Sequence, residues 1–382
     1  MEKNNEEPSQ NYIPNYIALI WLTALLTLVG LLAIYSSSYL KADELYGNPI
    51  FFLKKQAIFV VIGFSLIAIA LKTPFKWLEL ATLPLLIAAL LLLLMIYIPG
   101  ASVKVGGASR WLNFGGFRFQ PAELAKIALV LFLAKNLSRK SHDVNSFKLG
   151  VLPNFLVPML FAFLLMFQPD FGSTAILFIM TVLMLFVAGL SRFYIFSGLV
   201  IATAAAFTAV LVAPYRLKRL MSFVDPWSQI RDGGFQIIQS YVAFKNGGFL
   251  GVGLGESQQK LYFLPEAHTD FILSVIGEEL GLLGLLAIFT MFFAILYIGF
   301  RVAFHQTLNY RKFLAFGLTC LLGVQAFLNI GVTMGLLPTK GLPLPFISSG
   351  SSSLISFFIV MALLIKLAKE MPGQQHAISR SA

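Results

Sequence analysis

FLPEAHTDFILSVIGEELG, residues 263–281, passes from a polar turn into an apolar run that continues to about residue 300, and it carries a His, an Asp and three Glu at the mouth of that run. A run of this length decides the fold, because a helix crossing about 30 Å of hydrocarbon needs roughly 20 predominantly apolar residues. The rest of the chain repeats the pattern. Of 382 residues, 58% are hydrophobic and only 12% charged, with a mean hydropathy of +0.82. One water-soluble core could not bury that much apolar surface. About ten runs long enough to span lie near residues 15–36, 51–71, 75–98, 119–137, 150–168, 172–190, 193–213, 269–300, 313–335 and 346–368. The sequence therefore predicts an all-α polytopic membrane protein, with a polar tail over residues 1–14, a membrane domain over 15–368 and a second tail over 369–382. One connection is long, residues 214–268. The apolar run after the first tail is long enough to remain as a span, so no cleavable signal is expected.

Ten spans put both termini on one side, and the bias of Lys and Arg toward short cytoplasmic loops says which. The connections taken as cytoplasmic carry Lys72 and Lys76, then Lys135, Arg139, Lys140 and Lys148, then Arg192, then Arg301, Arg311 and Lys312, with Lys366, Lys369 and Arg380 at the end. Both termini are thus expected in the cytoplasm and the long loop outside it. The outer face is not poor in cations, however: Lys104, Arg110, Arg118, Arg216, Lys218, Arg219, Arg231, Lys245 and Lys260 all fall there. Any one of them is equally well read as a solvated loop charge. Together they suit an anionic ligand, a diphosphate or a phospholipid head, since Arg offers bidentate hydrogen bonds and Lys a point charge. Nucleic acid is a poor candidate for an outward-facing membrane loop. The single cysteine, Cys320, excludes disulfides within the chain and Cys-based metal sites.

A helix starting at about Thr269 would place Asp270, Ser274, Gly277, Gly281 and Gly284 in one narrow stripe, at about 100° per residue. Small residues in such a stripe let another backbone approach. Glu278 would flank it and Glu279 would point to the opposite side. Asp270 then sits at the outer end of the helix facing the bundle, where an ionisable residue is a candidate functional group. The plainer reading is that Asp270 caps the helix. In RWLNFGGFRFQPAELAKIALVLFLA, residues 110–134, Pro121 suits a first helical turn, and Glu123 and Lys126 are spaced to pair on one face. Lys126 would lie inside an apolar run, where charge is costly, so with Arg118 the trio reads as a wall of an anion-binding cavity. QPDFGS, residues 168–173, offers Asp170 in a turn that could also cap the next helix. LLPTKGLPLPFISSGSSS, residues 336–353, supplies Lys340 in irregular backbone that must be buried in protein or line a cavity. GVGLGES, residues 251–257, lacks the preceding strand of a nucleotide fingerprint. His268 beside Asp270 lacks the further ligands of a zinc site.

Five blocks, RWLNFGGFRFQPAELAKIAL, QPDFGSTAIL, YRLKRLMSFVDPW, GGFLGVGLGESQQKLYFLPEAHTDFILSVIGEELG and GLLPTKGLPLPFISSGSSSL, together resemble the SEDS family (shape, elongation, division and sporulation), polytopic peptidoglycan glycosyltransferases of the bacterial inner membrane. GLGESQQKLYFLPEAHTDF, SFVDPW and LLPTKG are more similar to its cell-division branch than to its elongation branch. The resemblance implies polymerisation of lipid II on undecaprenyl-diphosphate-linked glycan at the outer face of the cytoplasmic membrane, at the division septum. It implies Asp270 as the essential acid and general base, with Arg118, Glu123, Lys126, Asp170, Lys340 and His268 grouped as substrate-binding. It implies a class B penicillin-binding protein and other divisome proteins as partners. Whether a divalent cation, magnesium or manganese, joins the diphosphate stays open, and no ligand for one is named. One departure is visible: where the family has an aromatic and paired glycines, this chain reads ISSGSSS, with Ser349 and Ser351 in those places. The competing classes are a lipid II carrier, whose site would lie near mid-membrane, and a scaffold, which leaves the gathering of charges unexplained.

Overall fold

The computed structural model describes residues 14–105, 108–115, 117–139, 143–212, 214–230, 233–261, 264–265 and 267–371. Most of the first tail, Lys140, Arg231, Glu266 and the second tail beyond Met371, with Arg380, lie outside them. Twelve helices are present among the described residues: α1 (Asn15–Tyr46), α2 (Phe51–Lys72), α3 (Phe75–Met95), α4 (Pro121–Arg139), α5 (Leu152–Phe167), α6 (Phe171–Val187), α7 (Arg192–Val212), α8 (Pro214–Val224), α9 (Gly234–Gly247), α10 (Ile272–Phe304), α11 (Asn309–Thr333) and α12 (Ser351–Lys369). Ten of these coincide with the ten apolar runs. Seven of them, α1, α2, α3, α5 with the helical turn before it, α10, α11 and α12, are long and apolar enough to cross a membrane. α4 carries charge in its interior and α6 has 17 residues.

Hydrophobicity on all sides marks a helix buried in a bundle or in lipid, and both kinds occur. α4, α11 and α12 form the centre, with α4 packed on α3, α6 and α11, and α12 on α1, α2 and α11. Around them α1, α2, α3, α5 and α7 turn Trp21, Val61, Trp77, Phe163 and Phe193 outward, each more than 60% exposed, as lipid-facing surfaces do.

The all-α expectation needs correction. The connection from α3 to α4 is an antiparallel meander of β1 (Ser102–Val105), β2 (Ala108–Phe114) and β3 (Phe117–Phe119), with Val103 opposite Trp111 and Asn113 opposite Arg118. The run at 119–137 takes in only the last residue of β3, Phe119, and α4 begins at Pro121, the residue suited to a first helical turn. The long loop is also more structured than its polarity implied, holding α8 and α9.

α10 starts at Ile272, three residues later than the periodicity predicts, so Asp270 lies in the turn before it. Gly281 does not continue the expected stripe. Its backbone (φ 64°, ψ −163°) breaks the helix in a region that is essentially restricted to glycine. The freed main chain is taken up by the segment after α9: Val252 and Gly253 donate to the carbonyls of Glu278 and Glu279 (3.0 and 3.1 Å), and Leu282 donates to Gly248 (2.9 Å). Both carboxylates flanking the break are buried and engaged. Glu278 accepts from Asn246 (3.1 Å), Ser257 and the main chain of Gln259, while Glu279 pairs with Lys260 at 3.1 Å and accepts from Ser36 of α1. Irregular backbone in the final connection is buried as expected, with Leu342, Leu344, Phe346 and Ile347 at most 3% exposed and the main chain of Phe346 and Ile347 seated against Gly30 of α1.

Candidate functional site

The β-meander, the α5–α6 turn, the start of α8 and the α11–α12 loop converge at one end of the bundle. Between them lies a cavity of about 90 Å³ lined by Arg110, Asp170, Phe171, Arg216, Arg219 and Lys340 among others. Four cations therefore face one carboxylate. The carboxylate is already committed: Asp170 is the N-cap of α6, its Oδ1 accepting from the Ser173 main chain (3.0 Å) and its Oδ2 from the Ser173 hydroxyl (2.8 Å). The cap and the cavity wall are thus the same residue. Arg110 of β2 donates to the carbonyls of Gln168 (3.3 Å) and Pro169, which fixes the turn to the sheet. Phe171 carries a cation on its ring from two directions, Lys340 Nζ at 5.0 Å and Arg216 at 6.0 Å from the ring centre. Burial lowers the Lys340 pKa, and the nearby Asp170 charge pulls it partly back.

Asp270 stands beside this cavity. A Cβ placed on Gly341, the residue after Lys340, would come within 3.2 Å of Asp270 Oδ2, so the carboxylate rests on the main chain of the lysine's own loop. Across the Gln168–Pro169 turn a second cavity, about 570 Å³, is lined by Tyr97, Ile98, Ser102, Ser109, Phe167 and Gln168, with no charged side chain among the described residues that line it.

The remaining expected residues are placed elsewhere. Glu123 and Lys126 are 2% and 1% exposed and pair at 2.7 Å inside the bundle, where Lys126 also donates to Gln325 Oε1 at 2.6 Å. Arg118 presents its side chain outward from β3 while its carbonyl accepts from Ser352. The three do not form one wall. His268 is buried with its ring 5.3 Å from that of Phe52, and its carbonyl accepts from Ser349. Two serines of the ISSGSSS block are structural links: Ser348 Oγ accepts from the Leu344 main chain, and Ser352 bridges Arg118 and Gln120. Sequence reasoning placed Arg110, Arg216 and Arg219 on the outer face without assigning them to a site. It missed Gln325 and Asn329, whose signal was two amides four residues apart in an apolar helix. Among the described residues no group of three His, Cys, Asp or Glu is arranged to hold a metal ion.

Residues 17–372 match the family model of the FtsW, RodA and SpoVE proteins, described as cell cycle protein. The chain belongs to that family. Among curated members of the FtsW/RodA/SpoVE family, a Geobacter metallireducens protein named "Probable peptidoglycan glycosyltransferase FtsW" is 43% identical over 94% of this chain and 96% of its own length. A protein of the same name from Halorhodospira halophila is 41% identical over 92% and 90%. Of solved structures, a chain from a peptidoglycan synthase complex that coordinates polymerization and crosslinking superposes with a TM-score of 0.76 at 29% identity, covering 93% of this chain and 98% of that one. The rod shape determining protein RodA of Thermus thermophilus, at 24% identity over 93% and 96%, shares the fold with a TM-score of 0.68.

Proposed function

We infer that this protein is a peptidoglycan glycosyltransferase of the cell-division type, which polymerises lipid II at the outer face of the bacterial cytoplasmic membrane. The observation that carries the reading is the cavity of three arginines and Lys340 with Asp270 against the lysine's loop. The sugar hydroxyl of one lipid-linked disaccharide attacks the anomeric carbon of the growing strand. The new glycosidic C–O bond forms as the bond to undecaprenyl diphosphate breaks. Asp270 accepts the hydroxyl proton, and Arg110, Arg216, Arg219 and Lys340 hold the charge that develops on the departing diphosphate. The uncharged second cavity, with the rings of Tyr97 and Phe167 beside Ser102, Ser109 and Gln168, suits a neutral saccharide. A magnesium or manganese ion would enter on the phosphate oxygens, with no protein ligand assigned to it.

In this reading ten helices span. The cavity end faces outward, and the end where Arg311 and Lys366 pair with Glu370 faces the cytoplasm with both termini. Arg118 and His268 act on the substrate only indirectly, through the main-chain links to Ser352 and Ser349. A class B penicillin-binding protein cross-links the product, and with other divisome proteins it holds the enzyme at the septum. The deciding experiment is glycan polymerisation from lipid II by the purified protein with its class B partner, comparing wild type with Asp270→Asn. Polymer from the wild type and none from a folded variant supports the assignment. Equal polymer from both makes Asp270 structural, and none from either favours a lipid carrier.

A further inference from the structure

Asp270 and the loop carrying Lys340 are held by one face of α11. Gln325 and Asn329 are four residues apart, so they emerge from the same side of the helix one turn apart. Their exposures are 0% and 1%. Asn329 donates from Nδ2 to two carbonyls far apart in sequence, Asp270 at 2.9 Å and Leu342 at 2.7 Å. Its Oδ1 has no partner among the described residues, so the amide is oriented by those two bonds alone. Gln325 donates to the Pro343 carbonyl at 3.2 Å and accepts from Lys126, whose other bond is to Glu123. A buried polar network of this kind is an expensive way to gain stability, since well-packed apolar side chains often do as well. What the network fixes is relative position: the main chain of Asp270 is tied to the loop at 342–343, and that loop is tied to the buried ion pair of α4.

We infer that Gln325 and Asn329 are positioning residues of the transfer reaction, and that Glu123 and Lys126 act through Gln325 on the Lys340 loop rather than by touching substrate. The inference rests on the roles given above to Asp270 and the cationic cavity. Releasing Asn329 loosens the main chain that carries the Asp270 carboxylate, while the cations that bind diphosphate stay in place. Releasing Gln325 loosens the loop at Pro343, three residues from Lys340. The charged groups facing Lys340 are Asp170, Arg110, Arg216 and Arg219 from the neighbouring elements. A loosened loop exposes the lysine to water and moves its titration upward.

The test uses the full chain with its class B partner, lipid II as substrate, and the variants Asn329→Ala, Gln325→Met and Asp270→Asn, with kcat and KM normalised to folded protein. Asn329→Ser and Gln325→Asn are the milder pair should the first two fold poorly. A misplacement of about 1 Å can cost roughly a hundredfold in rate. Asn329→Ala is accordingly expected to lower kcat about 10- to 100-fold with KM within about threefold of wild type. Gln325→Met is expected to raise KM and to shift the alkaline limb of the pH profile upward. Losses that follow the folded fraction, with kcat, KM and the alkaline limb unchanged per folded molecule, would make both residues ordinary core amides and overturn the inference. Polymer from Asp270→Asn would overturn the proposed base instead. An inactive Asp270→Asn beside unimpaired Asn329 and Gln325 variants would overturn the positioning role alone.

Discussion

Lys340 is the one cation lining the cavity whose charge can be titrated away, because its three companions are arginines that stay protonated at any working pH. On the proposed reaction, replacing it by Met deletes one charge that would face the leaving diphosphate. A unit charge about 4 Å from a phosphate oxygen, at the effective dielectric near 20 of a partly open site, is worth about 4 kcal/mol. Three guanidiniums and entering water share that load, so a loss of about 2–3 kcal/mol is expected, or roughly 30- to 150-fold in kcat/KM. The pH dependence follows from burial. The Lys340 pKa is lowered from 10.5 by desolvation, with Asp170 opposing the shift, so the rate should fall as pH rises through a midpoint below 10.5. Stability moves the other way. Between the lowered native pKa and 10.5 the unfolded chain binds more protons, so the contribution of Lys340 to stability rises with pH there, while its full burial penalty applies below the native pKa. Lipid II polymerisation and detergent melting, measured across the alkaline range for wild type, Lys340→Met and Lys340→Arg, separate the two trends. The arginine variant keeps charge and should lose the limb. A Met variant within threefold of wild type, or one that keeps the wild-type limb, would refute contact between Lys340 and the leaving group.

Gly341 is predicted to be intolerant of side chains for a reason specific to the site. A methyl group there would meet Asp270 Oδ2 at 3.2 Å, so Gly341→Ala should cost a few-fold in kcat and Gly341→Val about tenfold or more, with melting little changed. Lys260 and Glu279 make a different prediction, because they latch the outer loop onto the break in α10. Lys260→Met alone leaves a buried carboxylate without its cation and should cost about 3–5 kcal/mol, seen as a lower melting temperature, whereas Lys260→Met with Glu279→Leu should recover most of it. Equal melting of the single and double variants would show that the pair is not a latch.

The ten apolar runs were legible because a lipid-facing helix must be apolar along its whole length, and composition alone reports that. What escaped reading is what tertiary contact decides. FRF at 117–119 is too short to announce a strand, and only its pairing with residues 112–114 makes it one. Gly281 looked like one more small residue in a stripe, because a sequence shows that glycine is permitted but not whether φ is positive. Lys126 was correctly judged too costly to bury alone. Its charge is matched by Glu123, as the spacing allowed, but its second partner is Gln325, 199 residues away, which no local spacing could supply. Asp270, Asp170 and Lys340 were brought together as expected, since each lies in a polar connection at the same end of the bundle. Arg118 and His268 were grouped with them by the family resemblance; Arg118 is exposed on β3, and His268 is buried with its ring near Phe52.

The distribution of charge also bears on whether such a site could belong to a carrier. Inside the bundle, cations are matched: Lys126 by Glu123 and Lys260 by Glu279. At the cavity four cations and one carboxylate line the wall, and that carboxylate also caps α6. A cluster so rich in cations is tolerable only where water or an anion reaches it. To serve a carrier, the cluster would have to be exposed in turn to each face. Yet Arg110 is bonded to the α5–α6 turn, Asp170 caps α6, and the Lys340 loop is tied through Gln325 and Asn329 to the centre of the bundle. Moving the cations across the membrane would break each of these buried bonds, at about 1–3 kcal/mol for every group left without a partner. A reaction that brings both substrates to one surface and releases a diphosphate there needs no such movement, and the fixed cavity suits it.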